Sequence, residues 1–464
     1  MSASAEGTTT IPGNTPATAE TQASRRYSRY VLFILFLICF FNYADRFVIV
    51  AVAAPIRAEL GLNDFQLGLL QGLSFALLYS VLGIPFARLA EHYSRVKILS
   101  VATAAWSVMT VVCGFATNFV QMLMARVGVG VGEAGFMGPA SSLIGDYFPP
   151  RKRAMAVSIM MLGVPFGGAV GAIAGGWIGQ ELGWRWAFFI IGSPGVLVGL
   201  LIWMTLREPL RGLFEKTKEQ SVQSLRQLAA ALARNRAFCH AMAGGTLAGI
   251  GLHGIGGFLP IYFMRAYDLS LAQAGVTHGL VTLVSVGGGL LLGGGLADRG
   301  GRRDLRWYAW IPAIGTILAA PLYYFAFTAP EFSFAVPLFV VAGTCLLLHY
   351  GPGMAFVQNL ATARTRASTI AIYQLVVNGI SLGLGPVLIG AFSDWFTGTQ
   401  LEGGAQQCMD AAAAATTVCR EAMAAGLRQA FLIAALFYIW GGIHYLLAGR
   451  NMAREAAEPA GDHA

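Results

Sequence analysis

The chain has 464 residues, of which 56% are hydrophobic and 12% are charged, and its mean hydropathy is +0.62. Ordinary soluble domains are about 25% charged, so this composition excludes a soluble protein whose apolar surface is confined to a core. The net charge of +8 does not indicate nucleic-acid binding, because Lys and Arg stand in short clusters between apolar segments.

The chain begins with a polar tail. Residues 1–28 include many Thr, Ala, Ser, Pro and Gly residues. They lack the basic start and apolar core of a cleaved signal peptide. We predict that this tail is disordered and cytoplasmic.

Twelve apolar segments follow, each near the roughly 20 residues that a membrane-spanning helix requires. The first six are 30–54, 66–89, 97–116, 120–147, 154–178 and 186–206. The second six are 238–263, 272–296, 307–327, 334–360, 367–395 and 427–447. The sequence therefore predicts an all-α membrane protein.

We divide this protein into two six-helix bundles with a linker and a tail. The predicted units are an N-terminal bundle at 29–206, a cytoplasmic linker at 207–236, a C-terminal bundle at 237–449 and a cytoplasmic tail at 450–464. Within the linker, residues 222–232 predict a short amphipathic helix on the membrane surface.

The distribution of Lys and Arg predicts the orientation, because short basic loops are retained on the cytoplasmic side. Clusters such as 151–153 and 302–303 follow even-numbered segments, whereas the other loops hold only scattered cations such as Arg57 and Arg265. We therefore predict a multi-pass protein of the cell (inner) membrane with both termini cytoplasmic.

Two pairs of loops have similar sequences. The loop after segment eight reads Gly-Leu-Ala-Asp-Arg-Gly-Gly-Arg-Arg at 295–303, and a weaker copy after segment two reads Leu-Ala-Glu-His-Tyr-Ser-Arg at 89–95. The loop at 151–154 likewise resembles the one at 364–367. Two repeats in one order, at nearly the same offset, indicate a duplicated six-helix unit in parallel arrangement.

The 295–303 sequence resembles the inner-loop motif of the major facilitator superfamily. This resemblance implies a transporter with two pseudo-symmetric six-helix bundles and assigns the motif a role in changing conformation. The first copy has Glu91 for Asp and His92 for Arg, so we expect it to brace the helices more weakly. The predicted gating residues are Glu91, Arg95, Asp298, Arg299, Arg302 and Arg303.

Segment five carries Gly163, Gly167, Gly171 and Gly175 on one helical face. Such a row lets another helix approach closely, and Gly383 lies in the corresponding part of segment eleven. The resemblance to the major facilitator superfamily implies that these rows form the contact between the two bundles, with static packing as the alternative.

Ionisable residues well inside the spans lie in the first half: Asp45 and Arg46 in segment one, and Arg126 and Glu133 in segment four. A charge facing lipid costs at least about 2.5–3.5 kcal/mol, so each should face the protein interior or a water-filled cavity. Arg126 and Glu133 lie about 10 Å apart along their helix and need other partners. We expect Asp45 to pair with Arg126 or Arg46, with Glu133 closer to the membrane centre.

Burial disfavours an ionised carboxylate and a nearby cation favours it. These opposed effects suit Asp45 and Glu133 for taking up and releasing a proton. We predict that both are proton-coupling residues. A permanently charged lattice that joins segments one and four is the alternative.

Three short sequences resemble the spinster branch of the superfamily, including its bacterial members. They are Asn-Tyr-Ala-Asp-Arg at 42–46, Gly-Glu-Ala at 132–134 and Trp-Arg-Trp-Ala-Phe at 184–188. The resemblance implies a lysolipid or sphingoid-lipid solute. Organic-anion symporters of the same superfamily share the first two patterns.

The second half has no carboxylate or Arg well inside a span, but it has Tyr373, Gln374 and Asn378. A cavity with one polar and one mostly apolar wall suits an amphipathic solute. The predicted substrate-binding residues are Arg46, Arg126, Tyr43, Tyr373 and Asn378.

We predict a monomeric secondary active transporter that is proton-coupled, works by alternating access and uses no cofactor. Its partners are a small amphipathic or anionic solute, protons and membrane lipids, without nucleic acid. The alternatives are an organic-anion/proton symporter, an uncoupled facilitator, a lipid enzyme or a sensor. We find neither a nucleotide-binding glycine loop nor metal-ligand spacing.

Cys408 and Cys419 share the polar loop 397–425. This loop is predicted to lie on the oxidising side of the membrane, where disulfides persist. We expect these two residues to form a disulfide.

Overall fold

The computed structural model describes residues 25–211, 225–361, 365–401, 404–408 and 416–457. Over these ranges the chain is helical and contains no strand. We number the membrane helices α1 to α12 and call Leu225–Arg234 the linker helix.

The N-terminal half contains α1 to α6, four of which consist of two segments. They are α1 (Arg25–Ala51 and Ala53–Leu60), α2 (Asp64–Gln71 and Leu73–His92), α3 (Arg95–Cys113), α4 (Phe119–Glu133 and Met137–Tyr147), α5 (Pro150–Met161 and Gly163–Glu181) and α6 (Trp184–Thr205). The C-terminal half contains α7 (Arg236–Tyr267), α8 (Leu271–Gly301), α9 (Trp307–Thr328), α10 (Phe332–Leu347 and Tyr350–Leu360), α11 (Arg366–Gly398) and α12 (Thr417–Ala457).

Eleven helices in the described ranges are long and apolar enough to cross a membrane. The remaining membrane helix is α4, which is interrupted directly after Glu133 and therefore consists of pieces of 15 and 11 residues. Neither piece reaches the roughly 20 residues of a complete span. The expected all-α fold of twelve helices is confirmed.

Several predicted boundaries are wrong. Helix α1 already begins at Arg25, within the expected disordered tail, because Tyr27 anchors it by donating to the carbonyl oxygen of Thr205 at 3.0 Å. Helix α12 begins at Thr417, inside the expected loop, and continues to Ala457 in the expected tail. The predictions for residues 1–24, 212–224 and 458–464 lie outside the described residues.

The linker helix packs against the C-terminal half. Its Leu228 and Leu232 are buried beside Ala237 of α7 and Ala448 of α12. We call the side of the molecule that holds this helix, the start of α1 and the end of α12 the linker side, and the opposite side the far side.

The two halves meet where α2 packs on α11 and where α5 packs on α8. At both seams backbone approaches backbone. Gly176 of α5 lies against Gly275 of α8, and a Cβ atom on Gly72 of α2 would lie 2.6 Å from the carbonyl oxygen of Gly383. These contacts leave no room for a side chain.

The expectation that the glycine row of α5 lies at this seam is wrong. Gly163, Gly167 and Gly171 pack on the backbone of α1 around residues 39–44, inside the same half. The face of α5 that meets α8 lies to one side of that row and contains Gly176.

The seams are closed toward the far side and open toward the linker side. Contacts between α2 and α11 run from Gly390 beside Asp64 to Gly379 beside Ser80. Toward the linker side, a Cβ atom on Gly83 of α2 or on Gly287 of α8 would have no neighbour within 4 Å. The space between the halves therefore opens to the linker side.

We predict that Gly72→Ala lowers the thermal unfolding midpoint of the purified protein, because the added methyl group overpacks the α2–α11 seam at a cost of about 1–3 kcal/mol. Gly83→Ala on the same helix is the matched control and should leave the midpoint unchanged or slightly raised. Equal midpoints for the two variants would show that this seam is not tightly packed.

Candidate functional site

A buried ion pair joins α1 to α4. Arg46 donates from Nε and Nη2 to the Oε2 atom of Glu133 at 2.6 and 2.5 Å. The Glu133 side chain is fully buried, whereas the Arg46 side chain is 15% exposed. The break in α4 directly follows Glu133, so the pair lies at an irregular point of the helix.

The expectation that Asp45 pairs with an Arg is wrong. Neighbouring residues point about 100° apart around a helix, so Arg46 faces α4 while Asp45 faces α3. There Asp45 accepts a hydrogen bond from Thr110 Oγ1 at 3.3 Å, and its Oδ1 atom has no partner among the described residues. An ionised carboxylate is costly at a buried site without a cation partner.

Arg126 lies behind the ion pair with only 1% exposure. Its Nε donates weakly to the carbonyl oxygen of Leu70 at 3.4 Å, and its guanidinium lies 5.6 Å from the centre of the Phe75 ring. Within the described chain its Nη1 has no hydrogen-bond partner. Arg126, predicted to bind substrate, therefore has almost no accessible surface in this conformation.

Three aromatic rings surround the Arg46 guanidinium. Their centres lie 5.0 Å (Tyr43), 4.5 Å (Phe75) and 4.8 Å (Tyr79) from its central carbon. Such cation–π contacts are each worth about 0.5–2 kcal/mol, the larger values applying to desolvated sites. The next residue of α1, Phe47, stacks on the His278 ring of α8 with the ring centres 5.6 Å apart, so this part of α1 faces the opposite half.

The two predicted substrate residues of α11 occupy different environments. Tyr373 is 4% exposed and lies inside the C-terminal half, with its hydroxyl 3.5 Å from that of Tyr445. Asn378 is partly exposed and donates to Gln374 Oε1 at 3.0 Å. Its neighbour Gly379 touches α2, so Asn378 borders the space between the halves and Tyr373 does not.

The far side is closed by a polar network, the far-side latch, that sequence reasoning missed. Asp64 of α2 accepts hydrogen bonds from Arg57 at 3.0 Å, from both Nη atoms of Arg265 at 2.7 and 2.8 Å, and from Ser393 at 2.7 Å. Asp394 accepts from the first two backbone N–H groups of α2 at 3.0 and 2.8 Å. The latch therefore joins α1 and α2 to α7 and α11.

On the linker side, Arg95 of the first motif copy braces the N-terminal half. It is buried, pairs with Asp146 at the end of α4 and donates from Nε to Glu208 at 2.7 Å. Burial opposes ionisation of Glu208, but hydrogen bonds from the Val96 amide, Arg95 and Ser94 hold its pKa below the usual range.

The second motif copy makes fewer contacts. Asp298 accepts a hydrogen bond from the Tyr308 hydroxyl at 2.9 Å. In the described ranges the Arg residues of this copy, Arg299, Arg302 and Arg303, are exposed and form no ion pair. The same holds for Glu91 of the first copy. The expectation that the first copy is the weaker brace is wrong, because Arg95 has carboxylate partners on two neighbouring elements.

Cys408 and Cys419 form a disulfide that ties the short 3₁₀ turn Ala405–Cys408 to the start of α12. Among the described residues, no group of three His, Cys, Asp or Glu side chains is placed to hold a metal ion.

Comparison with known proteins gives the family. Residues 35–397 match the family described as Major Facilitator Superfamily. The chain belongs to the Major Facilitator Superfamily. Within this superfamily it lies in the spinster branch, as the following similarities show.

A crystal structure described as a bacterial homolog to the human lysosomal transporter Spinster, in an inward-facing and unoccupied conformation, is 32% identical with a TM-score of 0.83. That match covers 94% of this chain and 100% of the other. "Protein spinster homolog 1" of Mus musculus is 29% identical over 81% of this chain and 74% of its own length. An "MFS-type efflux pump" of Mycolicibacterium smegmatis is 29% identical over 92% of this chain and 94% of its own length. This superfamily member is therefore a multi-pass membrane transporter and not an enzyme.

We predict that Asp64→Asn shifts the transporter toward a conformation that is open on the far side. Removing one partner of a buried ion pair costs about 3–5 kcal/mol. The contacts of Asp64 with Arg265 and Ser393 join the two halves, so their loss destabilises the latched state. Double electron–electron resonance between spin labels on the far-side ends of α2 and α11 should give longer distances in the variant than in the wild type.

Glu59→Gln is the matched control for this variant. Glu59 accepts from Trp184 and Arg185, each at 2.6 Å, at the same end of the molecule but within one half. If both variants leave the label distances unchanged, the latch does not hold the far side closed.

We also predict that Glu208→Gln lowers the unfolding midpoint at neutral pH, because the bond from Arg95 to a carboxylate becomes a weaker bond to a neutral amide, a difference of about 1 kcal/mol. Since the pKa of Glu208 is held below its ordinary value of 4.5, its contribution is complete above that pH and is lost as the pH falls further. The difference from wild type should therefore shrink in acid. Glu91→Gln should have no effect, and a difference that is independent of pH would contradict this account.

Proposed function

We propose that this protein is a proton-coupled secondary active transporter that moves an amphipathic, lipid-like solute, such as a lysolipid or sphingoid lipid, by alternating access. The observation that carries this proposal is the buried Arg46–Glu133 ion pair at the wall of the space between the halves. Beside it, Asp45 is buried without a cation partner. In this proposal both carboxylates exchange protons while Arg46 binds the solute.

The orientation is part of the proposal. The basic clusters at 151–153 and 302–303 follow α4 and α8 at the linker side, and short basic loops are retained in the cytoplasm. With this side cytoplasmic, both termini are inside the cell and the described conformation faces inward. The halves at 29–206 and 237–449 then act as the two moving units of a monomer in the inner membrane.

The coupling step follows from competition for one guanidinium. A proton on Glu133 removes the negative charge that holds Arg46 and weakens their hydrogen bonds. Arg46 is then free to donate to an anionic headgroup that enters from the open side. Proton binding at Glu133 and anion binding at Arg46 therefore favour each other, which is the linkage that symport requires.

Asp45 serves as a second proton site in this proposal. It lies next to Arg46 in sequence but contacts Thr110 of α3, so its proton is exchanged through a different set of helices. Arg126 supplies a fixed positive charge behind Phe75. The positive field of these two Arg residues helps to retain an anion and lets the carboxylates release their protons.

An amphipathic solute fits the unlike walls of the space. The N-terminal wall presents Arg46 among Tyr43 and Tyr79. The facing helices contribute uncharged groups such as Tyr350 and Asn378. A headgroup contacts Arg46, and an apolar tail extends along the open linker side.

An organic-anion/proton symporter is the second candidate, because Arg46 and its aromatic surroundings would hold a compact anion equally well. An uncoupled facilitator with the same binding site is the third. The carriers differ in whether an apolar tail raises affinity and in whether a pH gradient drives net transport.

We predict that Glu133→Gln abolishes pH-gradient-driven uptake in proteoliposomes while exchange between identical solutes on the two sides persists. The neutral amide removes the proton site that competes for Arg46, and it leaves Arg46 available for an anion. The assay measures uptake of a radiolabelled lysophospholipid and of a short organic anion, each with and without an imposed gradient. Glu59→Gln is the control and should retain wild-type uptake.

The outcomes separate the three candidates. Driven lysophospholipid uptake by the wild type that Glu133→Gln loses supports the proposal. The same pattern with the organic anion alone favours the symporter of compact anions. Wild-type uptake that ignores the gradient removes proton coupling and leaves the uncoupled facilitator.

A further inference from the structure

A second cavity lies on the far side, away from the Arg46–Glu133 ion pair. Its volume is about 520 Å³, within the range of about 300–1,000 Å³ that is usual for small-ligand sites. It lies between the far-side ends of α7 and α12 and the chain after α11. Its polar lining residues are Tyr262, Arg265, Gln400, Glu421 and Arg428.

Two opposite charges lie on one wall of this cavity. Glu421 and Arg428 are both exposed and seven residues apart on α12, so they share a face of the helix with a rise of about 10 Å between them. In the described part of the chain neither forms an ion pair. Arg420 on the same helix, by contrast, pairs with Asp268 at 2.5 Å and does not line the cavity.

Arg265 belongs to both the cavity and the far-side latch. It lines the cavity, while its two Nη atoms each donate to Asp64. A guanidinium has five N–H donors, so the latch leaves some of them unused. An anion in the cavity therefore meets a cation that also closes the seam between the halves.

The wall that carries Glu421 is covalently fixed. The disulfide at Cys419 joins the start of α12 to the 3₁₀ turn that follows α11, two residues before Glu421. Fixing a site before the ligand arrives reduces the conformational entropy lost on binding.

We propose that this cavity is a second ligand site, which binds a small zwitterion. Its phosphate or carboxylate group contacts Arg265 and Arg428, and its ammonium group contacts Glu421. The anionic group competes with Asp64 for Arg265, so a bound ligand weakens the latch and favours opening on the far side. This inference does not depend on proton coupling or on the identity of the transported solute.

Binding of O-phosphoethanolamine to the purified full-length protein in maltoside detergent tests the site by titration calorimetry. Arg428→Gln should weaken binding about tenfold or more, which is the usual effect of losing one charged hydrogen bond. Arg420→Gln is the matched control and should leave the dissociation constant unchanged. Equal affinities for wild type and Arg428→Gln would overturn the site.

Asp64→Asn tests the competition. Because this change frees Arg265 from its carboxylate partner, binding should tighten severalfold, in the direction opposite to that expected for Arg428→Gln. A variant that has merely unfolded would not bind more tightly. Unchanged affinity in Asp64→Asn would overturn the link between the site and the latch.

Two further comparisons define the ligand. O-phosphoethanolamine should bind more tightly than inorganic phosphate, and Glu421→Gln should remove that preference; a preference that survives would overturn the assigned ammonium contact. Phosphatidylethanolamine added to the detergent sample distinguishes the source of the ligand. Competition with the soluble probe supports a lipid headgroup, whereas its absence supports a soluble zwitterion at the same site.

Discussion

The high cost of isolated charge in an apolar interior is the constraint on which this structure depends. Arg46 and Glu133 meet that cost by pairing between α1 and α4 and by surrounding the cation with aromatic rings. The Arg46 side chain is partly exposed, whereas the Glu133 side chain is fully buried. In the proposed mechanism, anything that changes the charge on Glu133 therefore changes what Arg46 binds.

The same constraint acts at the far side with a different result. Asp64 accepts hydrogen bonds from two guanidinium groups and a hydroxyl. Each of these charges would be costly to bury alone, but together they form a contact between the halves. Asp394 adds to it by accepting the N-terminal amides of α2, where the helix dipole favours a carboxylate. The glycine contacts between α2 and α11 let the backbones approach closely enough for these short bonds.

The arrangement of polar groups along α2 connects these two regions. The first segment of α2, Asp64–Gln71, begins with Asp64 and packs on α11. Near the end of this segment, the carbonyl oxygen of Leu70 accepts a hydrogen bond from Arg126. The latch and the buried charges thus contact one short helix from its two ends. The far-side cavity is connected to the latch because Arg265 lines the cavity and also donates to Asp64.

Much of this organisation was accessible from sequence because it depends on local chemistry. Long apolar segments predict spans wherever the backbone must satisfy its own hydrogen bonds in lipid, and the repeated loops predict two related halves. Asp45, Arg46, Arg126 and Glu133 were identifiable because charged residues are rare inside such segments. Their pairing was not identifiable, since helical position does not reveal which neighbouring helix a side chain faces.

Arg57 and Arg265 illustrate what the sequence leaves open. Both stand near the ends of apolar segments, where a cation is ordinarily solvated, and only the packing of four helices buries them around Asp64. Likewise, Tyr373 and Asn378 lie five residues apart on α11 but on different faces, so one is enclosed and the other borders the opening. The sequence by itself determined the number of spans, the duplication and the identity of the rare charges, because these follow from composition and spacing along the chain. Only the tertiary structure decided the partners and the closed side, because these depend on contacts between helices far apart in the sequence.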